Sequence, residues 1–470
     1  MRENGFEPDF PSAALRQIEE IRQHPPAVVA SAGIKDLRGL LWSSIDNDES
    51  RDLDQIEFAE SVAGGGTRVM IGIADVDHFV RKGSAIDAYA ANQTTSVYTG
   101  VRTFPMLPPE LSTAATSLNE DGERAAMVTE FVVSSDGLVT DGVVYPALVR
   151  NHARLTYNAV GAWLEDRAAA PAPIAASADL SAQVKLQDQV AQALRRERYR
   201  HGALDIETIE TRPVLTGERV TGVEMQQKNR ATELIEDFMI AANGVVARTL
   251  AKTSSIRRIV RIPKRWDRIV ALAAEQGGHL PATPDSRALN DFLTARRAAD
   301  PDHFADLSLA VIKLMGPGEY VLERPGDPEQ GHFGLAVEDY THSTAPNRRF
   351  ADLVTQRVLK AFSTRAPPPY SDAELMAIAT SCTVKADAAR KVERAMEKRI
   401  AAVAMSGRIG EEFDAIVTGA SPKGTFVRVL QPHVEGMLVR GKDGLDVGDR
   451  VRVKLVKTDV NSGFIDFAKV

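Results

Sequence analysis

LRGLLWSSIDNDESRDLDQIEFAESVAGGGTRVMIGIADV, residues 37–76, decides how the chain is read. An apolar run, LRGLLWSSI (37–45), reads as a buried strand and leads into a block of carboxylates at Asp46, Asp48, Glu49, Asp52, Asp54, Glu57 and Glu60. QIEFAE then alternates, Gly64 to Gly66 turn the chain, and TRVMIGIADV returns as a second apolar strand. The pattern predicts an acidic loop hung from a β-sheet. Like charges so close repel unless solvent or a cation screens them, so the loop is either a solvated rim or a metal site.

As a calcium loop, DNDESRDLDQIE places Asp46, Asp48, Ser50, Asp54 and Glu57 at the ligand positions of an EF-hand, with Leu53 at the apolar one. It fails at Arg51, which stands where the sharp turn needs glycine, and its flanks read as strands rather than helices. As a catalytic site, Asp46, Asp52 and Asp54 lie at the mouth of the sheet, and the two-residue spacing turns Asp52 and Asp54 the same way in extended chain. Hard oxygens of this kind hold magnesium. That ion polarises a phosphoryl oxygen, lowers the pKa of a bound water and steadies a leaving oxygen. Glu57 and Glu60 read as the polar side of a strand.

The rest of the chain sets bounds. Its 470 residues, 44% hydrophobic and 26% charged, suit more than one globular core. The N-terminus MRENGFEPDF lacks a signal-peptide core and no apolar run could span a bilayer, so a soluble protein without membrane partners is expected. Cys382 is the only cysteine, which excludes an intramolecular disulfide and cysteine-rich metal sites and fits a reducing cytoplasm. A net charge of -7 gives no global basic footprint, but RRERYRHG (195–202), RRIVRIPKRWDR (257–268), NRRF (347–350) and KADAARKVERAMEKR (385–399) are locally basic.

An α+β chain in three parts is expected. Residues 1–34 hold one short helix stopped by Pro25 and Pro26. Residues 35–406 mix sheet and helix: two strands in RAAMVTEFVVSSDGLVTDGVVYPALVRN, long helices in LSAQVKLQDQVAQALRRERYR, ATELIEDFMIAANGVVARTLA and RRFADLVTQRVLKAF, and two last helices before Gly407. From 407 to 470, short alternating strands with glycine turns predict a small β-barrel, an OB-fold. The order Gly424, Phe426, VEGMLV, VGDRVRVKLV resembles the ribosomal S-one type, a module that binds single-stranded RNA.

With DLRGLLWSSID ahead of the acidic loop, the chain resembles the ribonuclease II family, the RNB-domain exoribonucleases. IADVDHFVRKGSAID with PMLPPELS, IEDFMIAAN and HFGLAVEDYTHSTAPNRRFADL match in the same order. The resemblance implies mixed sheets surrounded by helices and a processive, hydrolytic 3'-to-5' exoribonuclease. Such an enzyme degrades single-stranded RNA with a free 3' end to 5'-mononucleotides, using magnesium, or manganese in its place. A catalytically impaired RNA-binding member is the alternative. It implies no particular protein partner, and a cytoplasmic monomer is expected.

Residue by residue, Asp46, Asp52 and Asp54 match three of the four aspartates of the family's metal site, and Gln55 stands at the fourth. The amide still offers an oxygen but removes a charge, and Asp48 is a candidate substitute. Arg348 matches the arginine against the scissile phosphate, with Arg349 as a bystander. Tyr98 matches a tyrosine that fixes the RNA end. Tyr157 resembles the aromatic that stacks on the terminal base, and Ile206 stands where its phenylalanine partner would be. Glu236 matches the glutamate that contacts the terminal ribose. Typical bacterial members place two cold-shock-type OB-folds before the catalytic domain, which residues 1–34 cannot hold. A short form is therefore expected, with a wider RNA entrance, a more salt-sensitive grip and better tolerance of duplex near the 3' end.

Overall fold

The structure is a computed structural model that describes residues 1–27, 33–207, 210–217, 219–301, 303–328, 330–421 and 424–470. Its organising element is a sheet built from β1 (Lys35–Asp36), β2 (Trp42–Asp46), β3 (Gln55–Val62), β4 (Gly66–Ala74), β7 (Glu123–Ser134) and β8 (Val139–Thr156), in the order β1-β8-β2-β3-β4-β7. The small hairpin of β5 (Val97–Tyr98) and β6 (Thr103–Phe104) lies between β4 and β7 in sequence. Strand β8 pairs with β7 over most of its length and with β2 at its far end, which bends the sheet round on itself. The strand expected over 37–45 begins only at Trp42, because Leu37 to Leu41 are taken up by a turn that delivers the Trp42 indole N–H to the Leu37 carbonyl at 2.8 Å.

Both faces of the sheet are covered. On one side α1 (Ser12–Gln23), α2 (Ala85–Gln93), α10 (Phe350–Thr364) and the start of α11 (Asp372–Ser406) pack over Trp42, Ile56, Phe58 and Met70. On the other, α3 (Tyr157–Leu164), α4 (Ala172–Ala176), α5 (Ala178–Arg200) and α6 (Arg230–Thr249) pack over Ile45, Ala59, Val69 and Ile71. A strand buried on both faces has no polar side. Glu57 is accordingly buried with 0% exposure, contrary to its reading as the polar side of a strand, while Glu60 reaches the rim and pairs with Arg68.

The N-terminal residues pack on this core. Phe6, Ala14 and Ile18 are buried, and the Glu7 carbonyl accepts hydrogen bonds from Tyr89 and Gln93, both at 2.9 Å. Beyond α5, the hairpin of β9 (Glu210–Thr216) and β10 (Arg219–Gln226) rises to meet α11. Strand β11 (Ser255–Ile259) pairs with β12 (Glu319–Glu323), and between them α7 (Trp266–Glu275), α8 (Ser286–Ala299) and α9 (Phe304–Met315) form a lobe around Trp266, Leu289 and Leu293.

Two final helices were expected, but a single one of 35 residues, α11, is found. No glycine or proline interrupts 372–406, and Ser371 and Glu374 close a capping box at its start. Its last turns carry Ala402 and Met405 into the core of a closed five-stranded barrel of β13 (Glu412–Ser421), β14 (Gly424–Val429), β15 (Val434–Arg440), β16 (Arg450–Asp459) and β17 (Phe464–Lys469). Arg428 also binds Asp306 of α9 through both guanidinium amines, at 2.6 and 2.8 Å, which ties the barrel to the three-helix lobe.

Candidate active site

The acidic loop joins β2 to β3, as its apolar flanks predict; with strands on both sides and Glu57 buried, the calcium-loop geometry is absent. Asp46 ends β2, and its Oδ1 accepts hydrogen bonds from the Asn47 backbone at 2.7 Å and the Ser50 hydroxyl at 2.8 Å, which folds the loop over the strand end. The chain is extended through Leu53, whose N–H donates to the Ser117 hydroxyl at 2.9 Å and whose carbonyl accepts from Leu118 at 2.9 Å. This clamp fixes Asp52 and Asp54 on either side of it.

Asp54 is 3% exposed and accepts the Asn347 N–H at 3.0 Å, with Arg348 Nε 3.7 Å from its other oxygen. Burial pushes its pKa up to about 7, although Arg348 and the Asn347 N–H pull the other way. Burial also raises the Asp52 pKa, opposed by a backbone hydrogen bond and by the charge of Arg348. The Tyr98 hydroxyl lies 3.4 Å from Asp52 Oδ2, and its own ionisation is disfavoured first by burial and then by Asp52. Burial likewise raises the Tyr157 pKa.

Two short linkages hold Tyr98 and Arg348 together. The Ser96 N–H donates to the Arg348 carbonyl at 2.9 Å, and the Phe350 N–H donates to the Thr94 carbonyl at 2.8 Å. From α11, Glu393 accepts the Tyr98 N–H at 3.1 Å. Arg349, read as a bystander, turns its guanidinium inward onto Asp352 at 2.7 Å.

Asp46, Asp52, Asp54, Gln55, Tyr98, Tyr157 and Arg348 line one cleft of about 340 Å³, together with Ile235 and Met239 of α6. Ile206 and Glu236 line a neighbouring cleft of about 330 Å³. There Glu236 pairs with Lys228 at 2.8 Å; burial opposes its ionisation, but Lys228 together with Arg198 and Arg195 outweighs it and the pKa is lowered. Ile206 packs against the α7–α9 lobe, so the structure does not gather it into the cleft of Tyr157. Asp48 turns away as well, with Oδ2 bound by Asn158 at 2.7 Å, and does not line the cleft.

The donors suit a hard divalent cation: three carboxylates and an amide oxygen share one cleft with a single arginine to balance them. As they stand, no three acidic, histidine or cysteine side chains among the described residues are gathered closely enough to hold an ion, so the aspartates share a cleft without forming a closed cage. Sequence reasoning missed Asn347, Glu393 and buried Glu57. Asn347 sits inside the quoted TAPNRRF stretch next to Arg348, and its position there was the available signal.

Comparison with known families matches residues 34–365 to the RNB domain and residues 411–470 to the RNase II-type exonuclease C-terminal S1 domain. Ribonuclease R 1 of Lactococcus lactis is 29% identical over 98% of this chain and 59% of its own length. Ribonuclease R of Escherichia coli is also 29% identical, over 98% of this chain and 60% of its own. The chain thus spans about 59–60% of the length of these curated relatives. The apo form of Mycoplasma genitalium RNase R has the same fold, with a TM-score of 0.87 at 22% identity over all of this chain and 77% of that one.

Proposed function

The chain belongs to the RNB domain family, and from that premise we propose that it is a metal-dependent exoribonuclease that hydrolyses single-stranded RNA from a free 3' end to 5'-mononucleotides, with magnesium, or manganese in its place, as the cation. The observation that supports the reading most is the meeting of Asp46, Asp52, Asp54, Tyr98, Tyr157 and Arg348 in one cleft. Asp46, Asp52, Asp54 and Gln55 would hold the divalent cation, which would supply a water of lowered pKa and positive charge to offset that on the phosphate.

The chain's own groups do the positioning. Arg348 is half exposed and engages Asp54 only at 3.7 Å, which leaves its planar fork available to phosphate oxygens as charge develops on them. The Tyr98 hydroxyl stays protonated and donates, which suits a phosphate oxygen beside Asp52. Tyr157, at the start of α3, offers an aromatic face to the terminal base. In the adjoining cleft the Glu236 carboxylate is held ionised with the help of Lys228, which supports its reading as the acceptor of a hydrogen bond from a ribose 2'-hydroxyl, the group that separates RNA from DNA.

The barrel adds a platform for single-stranded RNA. Phe426 on β14 stands opposite Met437 on β15, and Phe464 at the start of β17 is 64% exposed, the stacking surface that unpaired bases use. In this reading the protein acts as a cytoplasmic monomer. Among the described residues no helix is long and apolar enough to cross a membrane.

Gln55 favours a second reading, an RNA-binding protein with impaired catalysis, because it removes one charge from the metal site. A uniformly labelled single-stranded RNA incubated with magnesium decides between the two. Release of mononucleotides from the 3' end, lost in Asp54→Asn while RNA binding persists, supports the enzyme. RNA binding without product from the unmodified chain supports the second reading.

A further inference from the structure

Asp54 and Asn347 lie 293 residues apart in the chain, yet one short stretch, Thr116 to Leu118, holds the segments of both. On the acidic side the Ser117 hydroxyl donates to the Arg51 carbonyl at 2.8 Å and accepts the Leu53 N–H at 2.9 Å, and the Leu118 N–H donates to the Leu53 carbonyl at 2.9 Å. On the other side the Thr116 hydroxyl stands 2.6 Å from the side-chain amide of Asn347. The same Asn347 gives its backbone N–H to Asp54 at 3.0 Å and immediately precedes Arg348. Thr116, Ser117 and Asn347 are all buried, at 3%, 0% and 1% exposure.

Hydroxyls and amides shut away from water cost stability unless they are bonded, and apolar residues of the same shape would fill this space without that need. What an apolar trio would lack is direction. The stretch is itself braced: Arg124 donates to the Ser117 and Ala114 carbonyls at 3.0 and 3.1 Å, and the Asn119 amide donates to the Thr113 carbonyl at 3.1 Å. The Thr116 hydroxyl also has the Leu111 carbonyl at 2.8 Å, and it carries one proton. With the Asn347 amide nitrogen turned toward it, Thr116 accepts from Asn347 and donates to Leu111, which gives a partner to a buried nitrogen otherwise without one.

We propose that Thr116 and Ser117 are positioning residues for the reaction, the two jaws of a clip that fixes the arginine segment against the acidic loop. The inference rests on the hydrolytic reading given above. Thr116 acts through Asn347 on Arg348, and Ser117 acts through Arg51 and Leu53 on Asp52 and Asp54, so neither needs to touch RNA. Closed on both sides, the clip keeps the Arg348 guanidinium and the carboxylates at one separation, with Nε 3.7 Å from Asp54, while charge develops on a phosphate in the cleft.

Thr116→Val keeps the shape and removes the hydroxyl. In single-turnover assays with magnesium it should slow mononucleotide release by about 10- to 100-fold, the range that a misplacement remote from the chemistry reaches, with RNA affinity little changed. Thr116→Ser should keep the rate, and so should Thr113→Val, whose hydroxyl bonds only the Pro109 carbonyl. Thr116→Val combined with Asn347→Leu strands no polar group and should melt near the unmodified chain, yet show the same loss of rate. In an Arg348→Ala background Thr116→Val should cost little more, because the group it aims is gone, whereas a general loss of structure would cost as much in either. Hydrogen exchange of the metal-free chain gives a readout apart from activity: the Asn347 amide should exchange faster in Thr116→Val and the Leu53 amide in Ser117→Ala, with β4 and β7 unchanged. An unchanged rate in the folded variants, or an equal loss in the Arg348→Ala background, overturns the inference and leaves the exoribonuclease reading intact. An unmodified chain that binds RNA and releases no mononucleotide overturns both.

Discussion

Arg348 Nε stands 3.7 Å from Asp54 Oδ2, while the preceding residue's N–H holds the other oxygen at 3.0 Å, so one stretch of backbone sets the distance between an acid and a base across the cleft. Replacing Arg348 with alanine should lower kcat/KM by about 10²- to 10³-fold, the usual cost of losing a donor aimed at developing charge. RNA affinity should fall much less. Lysine should rescue only part of the loss, because a point charge does not reproduce the fork. Single-turnover rates against filter-binding affinities separate the two quantities.

Asp54 links metal-free stability to pH. Its folded-state pKa is raised to about 7 from the ordinary value of 3.8, so the folded chain holds a proton that the unfolded chain has released between those limits. Its contribution to stability is complete below about pH 4 and is lost as the pH rises through 7. In a chelator, Asp54→Asn should therefore melt a few degrees above the unmodified chain at pH 8, with the gap narrowing at pH 5 and closing below about pH 4. Thermal melts across pH give the comparison, and an equal gap at both values would be the contrary result.

Tyr157 and Ile206 should separate cleanly under mutation, since they line different clefts. Tyr157→Ala removes a stacking face and should weaken binding of an RNA 3' end by about 1 to 3 kcal/mol. Ile206→Ala should leave that affinity nearly unchanged and destabilise the α7–α9 lobe against which it packs. Fluorescence titration with short oligonucleotides, together with urea unfolding, resolves the pair.

Arg357 is buried in α10 and binds Asp77 at 2.9 Å, Asp87 at 2.8 Å, the Tyr370 hydroxyl at 2.7 Å and the Val80 carbonyl at 2.5 Å. Arg357→Met would strand buried Asp87 and leave Asp77 to Lys360 and Arg81, a loss of about 3 to 5 kcal/mol for a broken buried pair. Lys82→Ala, which removes an exposed pair to Glu374, should cost under about 1 kcal/mol. Denaturant unfolding of both variants measures the contrast.

Much of the site could be read from sequence because it depends on short spacings. Asp46, Asp52 and Asp54 hang from strands that apolar runs announce, whereas Arg348 and Tyr98 were reached only through the family resemblance of the stretches that hold them. What could not be read depends on contacts across the chain. Glu57 looks solvated until α5 and α6 cover the second face of β3, which alternation along one strand cannot reveal. The bond from Glu393 to Tyr98 spans 295 residues, and no local pattern carries it. The fold was legible in the same degree: the strand pairs and the barrel announced themselves, whereas the unbroken α11 needed the absence of a breaker to be weighed above a drift in its apolar pattern.

Helix α11 runs from its capped start at Ser371, past Glu393 at the Tyr98 backbone, to Ala402 and Met405 inside the barrel. It behaves as a ruler. With about 1.5 Å and about 100° per residue, one amino acid inserted between Glu393 and Ala402 would swing the barrel through more than a quarter turn while moving it hardly at all along the axis. Phe426 and Phe464 would then face another direction. The length of that single helix, counted in residues, sets the compass bearing of the barrel's aromatic face relative to the tyrosine in the cleft.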